Sequence, residues 1–585
     1  MVIENELDQQ TQHDIISERK LRTTDEERLL EDAIDDGFMC VDLKVLERKL
    51  KAWHRLFSPA FDNNNNDNDN NYEPSSYNYT VTPYFAVKCN PDACVVEWLA
   101  RTASMMNLPL GYDCASIAEL ELAKAQIQKY SLEETDGGID KKKRNNIPTT
   151  RIVYANPQRA EADLMHALEL FATTPSHSQS KELELWLTLD GVEEVYKIAT
   201  ARKLFLEKHH ACDALRMPNV KIVLRIWVPD GHSQVPLGEK FGMRMEEIDN
   251  VVEACLNHGI IADDIIGISY HCGSGCSSVE TYLEALEMGR KALTRIDDRL
   301  TRHYREEEEE ETDIQEKKVQ KLDESQQKQY KRHRCWLLDM GGGFPGIDGL
   351  DGDDNRFSAD AKKEVKETTD TSMPATTQQT ATTTTTTTTV ADIAMAVRPV
   401  LQSLTNINDK DENDSSSLPL TLIAEPGRYF VEGAIALASR IYQKQQVNDP
   451  NDDSNKIREY RIPHGVQGVF KDVLLCGESF IPQPLQIIEG QSNDLDDPAT
   501  HADDQQDSSK QESPPKLYLS RVLGPSGDDT EDVVCDSCLL PELDVGDWLV
   551  FDRMGAYTLS IASRAGRPVM RYVRGDSSSP LSSPM

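Results

Sequence analysis

Short apolar runs rich in β-branched and aromatic residues recur along the chain, each bounded by polar segments. They are Tyr84–Val87, Pro109–Cys114, Arg151–Tyr154, Leu183–Leu189, Lys221–Val228, Ile265–Tyr270, Trp336–Met340 and Leu420–Ala424. Runs of this length without polar alternation predict strands buried on both faces. Most are followed by a segment of helical character: Cys94–Ala103, Ile117–Tyr130, Glu193–His209, Met245–His258 and Ser278–Arg295. Strands alternating with helices predict a parallel sheet. Eight such units predict a closed (β/α)8 TIM barrel, an α/β fold.

After the eighth run the texture changes. Ala434–Gln445, Val466–Cys476, Leu517–Val522, Trp548–Phe551 and Val569–Val573 are short strand-like runs with Gly and Pro turns and few helices. They predict a second, mostly antiparallel β domain. A strand at Gly37–Leu43 joins that domain, and an amphipathic helix over 44–57 leads into the barrel. The expected organisation is an acidic tail (1–36), the first strand of the β domain (37–47), the barrel (48–430), the rest of the β domain (431–575) and a Ser/Pro-rich tail (576–585). Stretches rich in Asp, Glu, Asn, Gln, Ser and Thr fall near 63–71, 131–149, 172–182, 303–332, 347–390, 406–418, 446–457 and 489–514. Such composition cannot bury a core, so these are expected to be disordered low-complexity insertions in surface loops.

Charge narrows the partners. The 585 residues carry a formal net charge of -37, which argues against nucleic acid and anionic membranes, since both need clustered Lys and Arg. The one basic run, Lys141-Lys142-Lys143-Arg144, reads as a solvated loop. No stretch is apolar for long enough to cross a bilayer, and residues 1–36 lack the apolar core of a signal peptide. The 12 cysteines are scattered, mostly inside apolar runs, which fits free thiols in a reducing compartment. A cytoplasmic protein is therefore expected. Cys535 and Cys538 form a C-x-x-C, and without a second pair nearby it reads as structural rather than as a metal site.

Function in a barrel of this kind collects at the C-terminal ends of the strands. There the sequence places Lys88 after the first run, Asp113 at the second, Arg225 in the fifth and His271-Cys272-Gly273-Ser274-Gly275 after the sixth. Gly341-Gly342-Gly343 follows the seventh run and Glu425-Pro426-Gly427-Arg428 the eighth. Each of these has an ordinary structural reading alone. Together they describe one ligand. Glycine turns offer backbone N–H groups to a phosphate, and an arginine clamps it. A lysine can condense with a carbonyl. A carboxylate beside a pyridine nitrogen keeps it protonated and makes the ring an electron sink. Phosphate, aldehyde and pyridine together are pyridoxal 5′-phosphate (PLP).

The chain resembles the eukaryotic-type ornithine decarboxylases, PLP-dependent enzymes with an alanine-racemase-like barrel. The resemblance rests on Pro83–Asn90, Tyr112–Ser116, Tyr154–Pro157, Lys240–Gly242, His271–Cys276, Leu338–Gly346, Ala424–Phe430, and Leu540–Glu542 through Met554–Thr558. It implies that Lys88 holds PLP covalently, Glu425 pairs with the pyridinium nitrogen and His271 stacks on the ring. It also implies that Ser274, Gly343, Arg428 and Tyr557 hold the phosphate, with Asp113, Glu119 and Arg225 in support. The implied activity is decarboxylation of an amino acid to a diamine for polyamine synthesis. The implied assembly is a homodimer with shared active sites; a regulatory relative would instead bind antizyme.

Three positions in two stretches depart from that pattern. The family's protonating cysteine lies in a Gly-Pro-Thr-Cys-Asp motif, where this chain has Gly524-Pro525-Ser526-Gly527-Asp528. Gly527 stands at the cysteine, while Asp528 keeps the acid that meets the substrate's distal amine. The second acid of that subsite sits in an Asn-Asp-Gly turn, here Pro463-His464-Gly465, and the aromatic that follows is Gln467. A protonated His464 is expected to repel a cationic amine. This leaves three readings: ornithine as substrate, another basic amino acid such as lysine or arginine, or a non-catalytic antizyme-inhibitor-like homologue.

Overall fold

In the computed structural model the described residues are 36–58, 79–132, 152–173, 183–209, 215–316, 334–350, 388–406, 420–449, 452–485, 515–526, 528, 530–563 and 567–573. The expected insertions at 63–71 and 489–514, the basic run 141–144, both tails and Gly527 lie outside them. The chain divides into two compact units, 45–433 and a second formed by 1–44 with 434–585.

Strand β1 (Gly37–Asp42) and helix α1 (Leu43–Phe57) come first. The barrel strands follow: β2 (Val81–Ala86), β3 (Gly111–Cys114), β4 (Ile152–Tyr154), β5 (Leu185–Leu189) and β6 (Val220–Arg225). A short ribbon strand, β7 (Ser233–Val235), precedes β8 (Ile265–Ser269), and its partner β9 (Ser274–Cys276) precedes β10 (Leu337–Asp339) and β11 (Thr421–Ala424). The eight barrel strands close in the order β10-β11-β2-β3-β4-β5-β6-β8, all parallel. Every residue of β2, β3, β4, β5 and β8 is buried, which is why their sequences show apolar runs rather than alternation. Tyr84, Val153, Trp186, Val223, Ile266, Leu337 and Ile423 form one cluster inside the barrel. Tyr84 and Trp186 stack there with ring centroids 6.0 Å apart.

Local signals set the helices that frame the mouth. Helix α2 (Ala93–Met106) is capped by Asp92, whose Oδ1 accepts from Val95 N at 3.0 Å, and it ends at Asn107 in the left-handed conformation. Helix α3 (Ile117–Leu132) opens on a Ser116–Glu119 box: Ser116 Oγ accepts from Glu119 N while Glu119 accepts from Ala115 N at 2.7 Å. Beyond the strand ends of β4 and β5, Arg159 donates to the carbonyls of Tyr154 (3.2 Å) and Thr188 (2.6 Å) and pairs with buried Glu194 at 2.7 Å.

The second unit contains two sheets. One has the order β15-β18-β12-β1-β19, made of β12 (Ile435–Arg440), β15 (Gln483–Pro484), β18 (Trp548–Phe551), β19 (Val569–Val573) and β1. The other has the order β13-β14-β16-β17, made of β13 (Gln443–Asp449), β14 (Asp452–Arg461), β16 (Tyr518–Leu523) and β17 (Val533–Leu540). Most pairings are antiparallel; β1–β19 and β14–β16 are parallel.

Three expectations need correction. The segment 446–457 belongs to the β13–β14 hairpin rather than to an insertion: Gln446 opposes Arg458 and Val447 opposes Ile457. Its polar letters fit because β13 is an edge strand, and among the residues whose burial is described Ile457 is the buried one. The run Val466–Cys476 ends in a helix (Lys471–Cys476), closed by Gly477 at φ 66° with its N–H donating to Asp472 O. The helix Val279–Glu316 continues past 303, where an insertion was expected to begin, and 317–332 lies outside the described residues. Glu, Arg and Gln are good helix formers, so charge alone did not end the helix.

Candidate active site

The C-terminal ends of the barrel strands carry the proposed groups in register. Ala86 on β2 lies beside Asp113 on β3, and a single turn (Val87–Cys89) then turns Lys88 into the mouth. Lys88 Nζ reaches Asp113 Oδ2 at 2.5 Å, with the lysine side chain 30% exposed and the aspartate fully buried. Asp113 Oδ1 is buried and makes no hydrogen bond. Arg225 ends β6 beside Ser269 of β8 and lies 5.1 Å over the Phe241 ring.

His271 follows β8. Its Nδ1 accepts from Gly273 N at 3.0 Å, so in the neutral ring the proton sits on Nε2. Burial, with Arg225 and Lys88 nearby, pushes the imidazole well below its ordinary pKa. The ring is therefore neutral at neutral pH.

The glycine turn after β10 is built by close approach. A side chain on Gly341, at φ 59°, would overlap the Tyr270 carbonyl oxygen. A Cβ on Gly342 would lie 2.7 Å from His271 Nε2. The turn joins the neighbouring strand ends through Glu425 N to Gly341 O at 2.7 Å and Cys276 N to Gly343 O at 3.0 Å. Ser274 and Gly343 thus belong to one turn system. Arg428 follows β11 and is held by Glu432 at 3.6 Å, both side chains largely buried.

Two carboxyl groups in this mouth hold protons at unusually high pH. Burial, then the neighbouring carboxyl groups of Asp113 and Asp339, pushes Glu425 well above the carboxylate range. Burial raises Asp339 from 3.8 to about 7, against the hydrogen bond its Oδ1 accepts from Gly341 N at 2.8 Å. Asp339 was not singled out from the sequence. Its signal was an acid inside the apolar run of β10, directly before the glycines. Burial also raises Glu119 above its ordinary value.

Tyr557, His464 and Asp528 belong to the second unit. Tyr557 is half-buried at φ 61°. Asp528 is exposed and its Oδ1 accepts from Thr530 N and Glu531 N, both at 2.8 Å. His464 corrects the expectation of a repelling cation. Its Nδ1 is 2.8 Å from Ser439 Oγ, and burial lowers its pKa to about 4. Burial disfavours the imidazolium, so His464 is neutral. Asp532, another residue the sequence reading passed over, fastens the two loops of interest. It accepts from Val466 N and Ser526 N, each at 2.9 Å.

The barrel mouth suits PLP. It offers an amine at Lys88, a turn whose closeness only glycine permits, an arginine fixed by Glu432, a neutral flat imidazole and a proton-bearing carboxyl at Glu425. Known proteins agree. Residues 69–301 match the pyridoxal-binding domain of pyridoxal-dependent decarboxylases, and residues 195–555 match their C-terminal sheet domain. Antizyme inhibitor 2 of Xenopus laevis is 27% identical over 489 residues, covering 83% of this chain and 73% of the relative. Ornithine decarboxylase of Mus pahari is 27% identical over 504 residues, covering 84% and 75%. The X-ray structure of the Paramecium bursaria Chlorella virus arginine decarboxylase superposes with a TM-score of 0.55 at 21% identity, over 92% of this chain and 96% of that one; it is a likeness of fold. Since the sheet-domain match alone spans more than half of the sequence, the chain belongs to the pyridoxal-dependent decarboxylases, is ornithine decarboxylase-like, and has PLP as its cofactor.

Proposed function

We propose that this protein decarboxylates L-ornithine to putrescine and carbon dioxide. The observation that carries the reading is the pairing of Lys88 with Asp113 in a mouth that also holds His271, Glu425 and Arg428. A protein that only binds a partner has no use for that combination. The retained Asp528 and the likeness to an ornithine decarboxylase favour ornithine.

Bound PLP supplies the electron sink for the pair released when the α-carboxylate leaves. The chain's own groups do the rest. Asp113 Oδ2 accepts a hydrogen bond from Lys88 Nζ and so orients the amine that would anchor the cofactor. Neutral His271 presents a flat face without adding positive charge. Glu425 carries the proton that a pairing with the ring nitrogen takes up. Arg428, oriented by Glu432, and the N–H groups of the glycine turn hold the phosphate. Gly527 has no side chain with which to return a proton to the α-carbon.

A second reading has specific support: Gly527 at the cysteine position, and a likeness to an antizyme inhibitor equal to that to an ornithine decarboxylase. In that reading the chain is regulatory and takes antizyme as partner. A neutral His464 in place of a carboxylate supports a third, a decarboxylase of lysine or arginine. The proposal extends to a cytoplasmic homodimer. Among the described residues no helix is long and apolar enough to cross a membrane.

The test is carbon dioxide release from ornithine, lysine and arginine by PLP-loaded protein. Ornithine should be the fastest. Release from lysine or arginine alone would move the substrate, and none from any, with antizyme captured, would establish the regulatory reading.

A further inference from the structure

Cys535 and Cys538 lie on β17, the edge strand of the four-stranded sheet. Residues three apart on a regular strand point to opposite faces. Here they do not. Ser520 opposes Cys538 and Val522 opposes Cys535, with a register shift between. The extra residue on β17 is a bulge. Three residues of β17 therefore span the length of two on β16, about 6.7 Å. That is just inside the Cα separation a disulfide bridges, about 4.4–6.8 Å.

Both cysteines consequently share the buried face with Ser520 and Val522; each is 8% exposed. Cys538 Sγ lies 3.5 Å from Ser520 O, and Cys535 Sγ lies 3.7 Å from Ser537 O. No metal-type cluster of three or more ligands occurs among the described residues, so the pair has no third ligand there.

We infer that Cys535 and Cys538 are a redox couple that closes to an intrachain disulfide under peroxide. The Cys535 sulfur attacks one peroxide oxygen, the O–O bond breaks, water leaves and Cys535 becomes a sulfenic acid. The Cys538 sulfur then attacks the Cys535 sulfur, the S–O bond breaks and a second water leaves. The two thiols are oxidised by two electrons and the peroxide is reduced. The neighbouring Cys538 thiol lowers the pKa of Cys535, which favours Cys535 as the attacking sulfur.

Closure tightens the bulge three residues from Asp532. That carboxylate fastens Val466 and Ser526, and its own carbonyl accepts from Gly524 N at 2.9 Å. By shifting the backbone that carries Asp532, closure weakens the hydrogen bonds this carboxylate accepts from Val466 N and Ser526 N, whatever reaction the protein catalyses.

The experiment uses the full chain, reduced and then treated with hydrogen peroxide, with the free thiols alkylated before peptide mapping. The expected result is a linked Cys535–Cys538 peptide, restored to two free thiols by dithiothreitol. Amide exchange at Val466 and Ser526 should rise several-fold in the oxidised form. In Cys535→Ser, Cys538 should stay alkylatable. The inference is overturned if both thiols remain alkylatable while exposed Cys94 oxidises, or if Cys535 proceeds to sulfinic acid unlinked. A disulfide with unchanged exchange at Val466 and Ser526 would overturn its coupling to Asp532. None of these readouts uses turnover, so they stand apart from the proposed activity.

Discussion

Asp339→Asn should make the cofactor-free protein more stable at alkaline pH. Asp339 is fully buried, and its carboxyl titrates near about 7 instead of 3.8. An acid whose folded pKa is raised takes up protons on folding, so it costs nothing below its unfolded pKa. The cost grows as pH rises past 3.8 and is complete above about 7. That rise in pKa is worth about 4 kcal/mol at the plateau. Between pH 5 and pH 8 the Asp339 share is about 3 kcal/mol. Asparagine keeps an oxygen to accept from Gly341 N but never ionises. The measurement is urea unfolding at both pH values, followed by tryptophan fluorescence, with Trp186 in the barrel core as a reporter. Wild type should lose about 3 kcal/mol more than Asp339→Asn on going from pH 5 to pH 8. Parallel stability curves for the two proteins would refute the claim that this buried carboxyl holds its proton.

Three further changes probe the site and its support. Glu425→Gln should lower turnover roughly 10²-fold with PLP still bound, because it removes the acid assigned to the ring nitrogen; spectra and kcat together check this, and full activity would reassign Glu425. His464→Asp should raise ornithine turnover relative to lysine and arginine, read as a ratio of kcat/KM values, and an unchanged ratio would remove His464 from the substrate subsite. Arg159→Ala should destabilise the barrel by about 3–5 kcal/mol, because Glu194 is left buried with only Lys197 and the backbone N–H of residue 159 as partners; a shift under 1 kcal/mol in denaturant unfolding would show that the Tyr154 and Thr188 carbonyls do not depend on it.

The barrel was legible because parallel strands covered on both faces must be apolar along their length. All eight runs fall on barrel strands, with ends displaced by a few residues. The second unit was less legible for the converse reason. β13 and β14 are polar hairpin strands near a sheet edge, and β17 carries Asp536 and Ser537 exposed between its two cysteines. The groups at strand ends could be found because a barrel collects them there. Asp339 carried a signal, an acid in an apolar run before three glycines, but Asp532 carried none, since it acts through amides that only the folded chain brings near. The neutral state of His464 is likewise a property of burial, and its letter in the sequence carries no pKa.

The central claim is that this mouth holds PLP through Lys88. Borohydride reduction of the PLP-loaded protein, followed by peptide mapping, tests it directly. The expected product is a phosphopyridoxyl group on Lys88, in the peptide that carries Tyr84-Phe85-Ala86-Val87, and its loss in Lys88→Ala. A label on another lysine, or a protein that holds PLP without any reducible link, would contradict it.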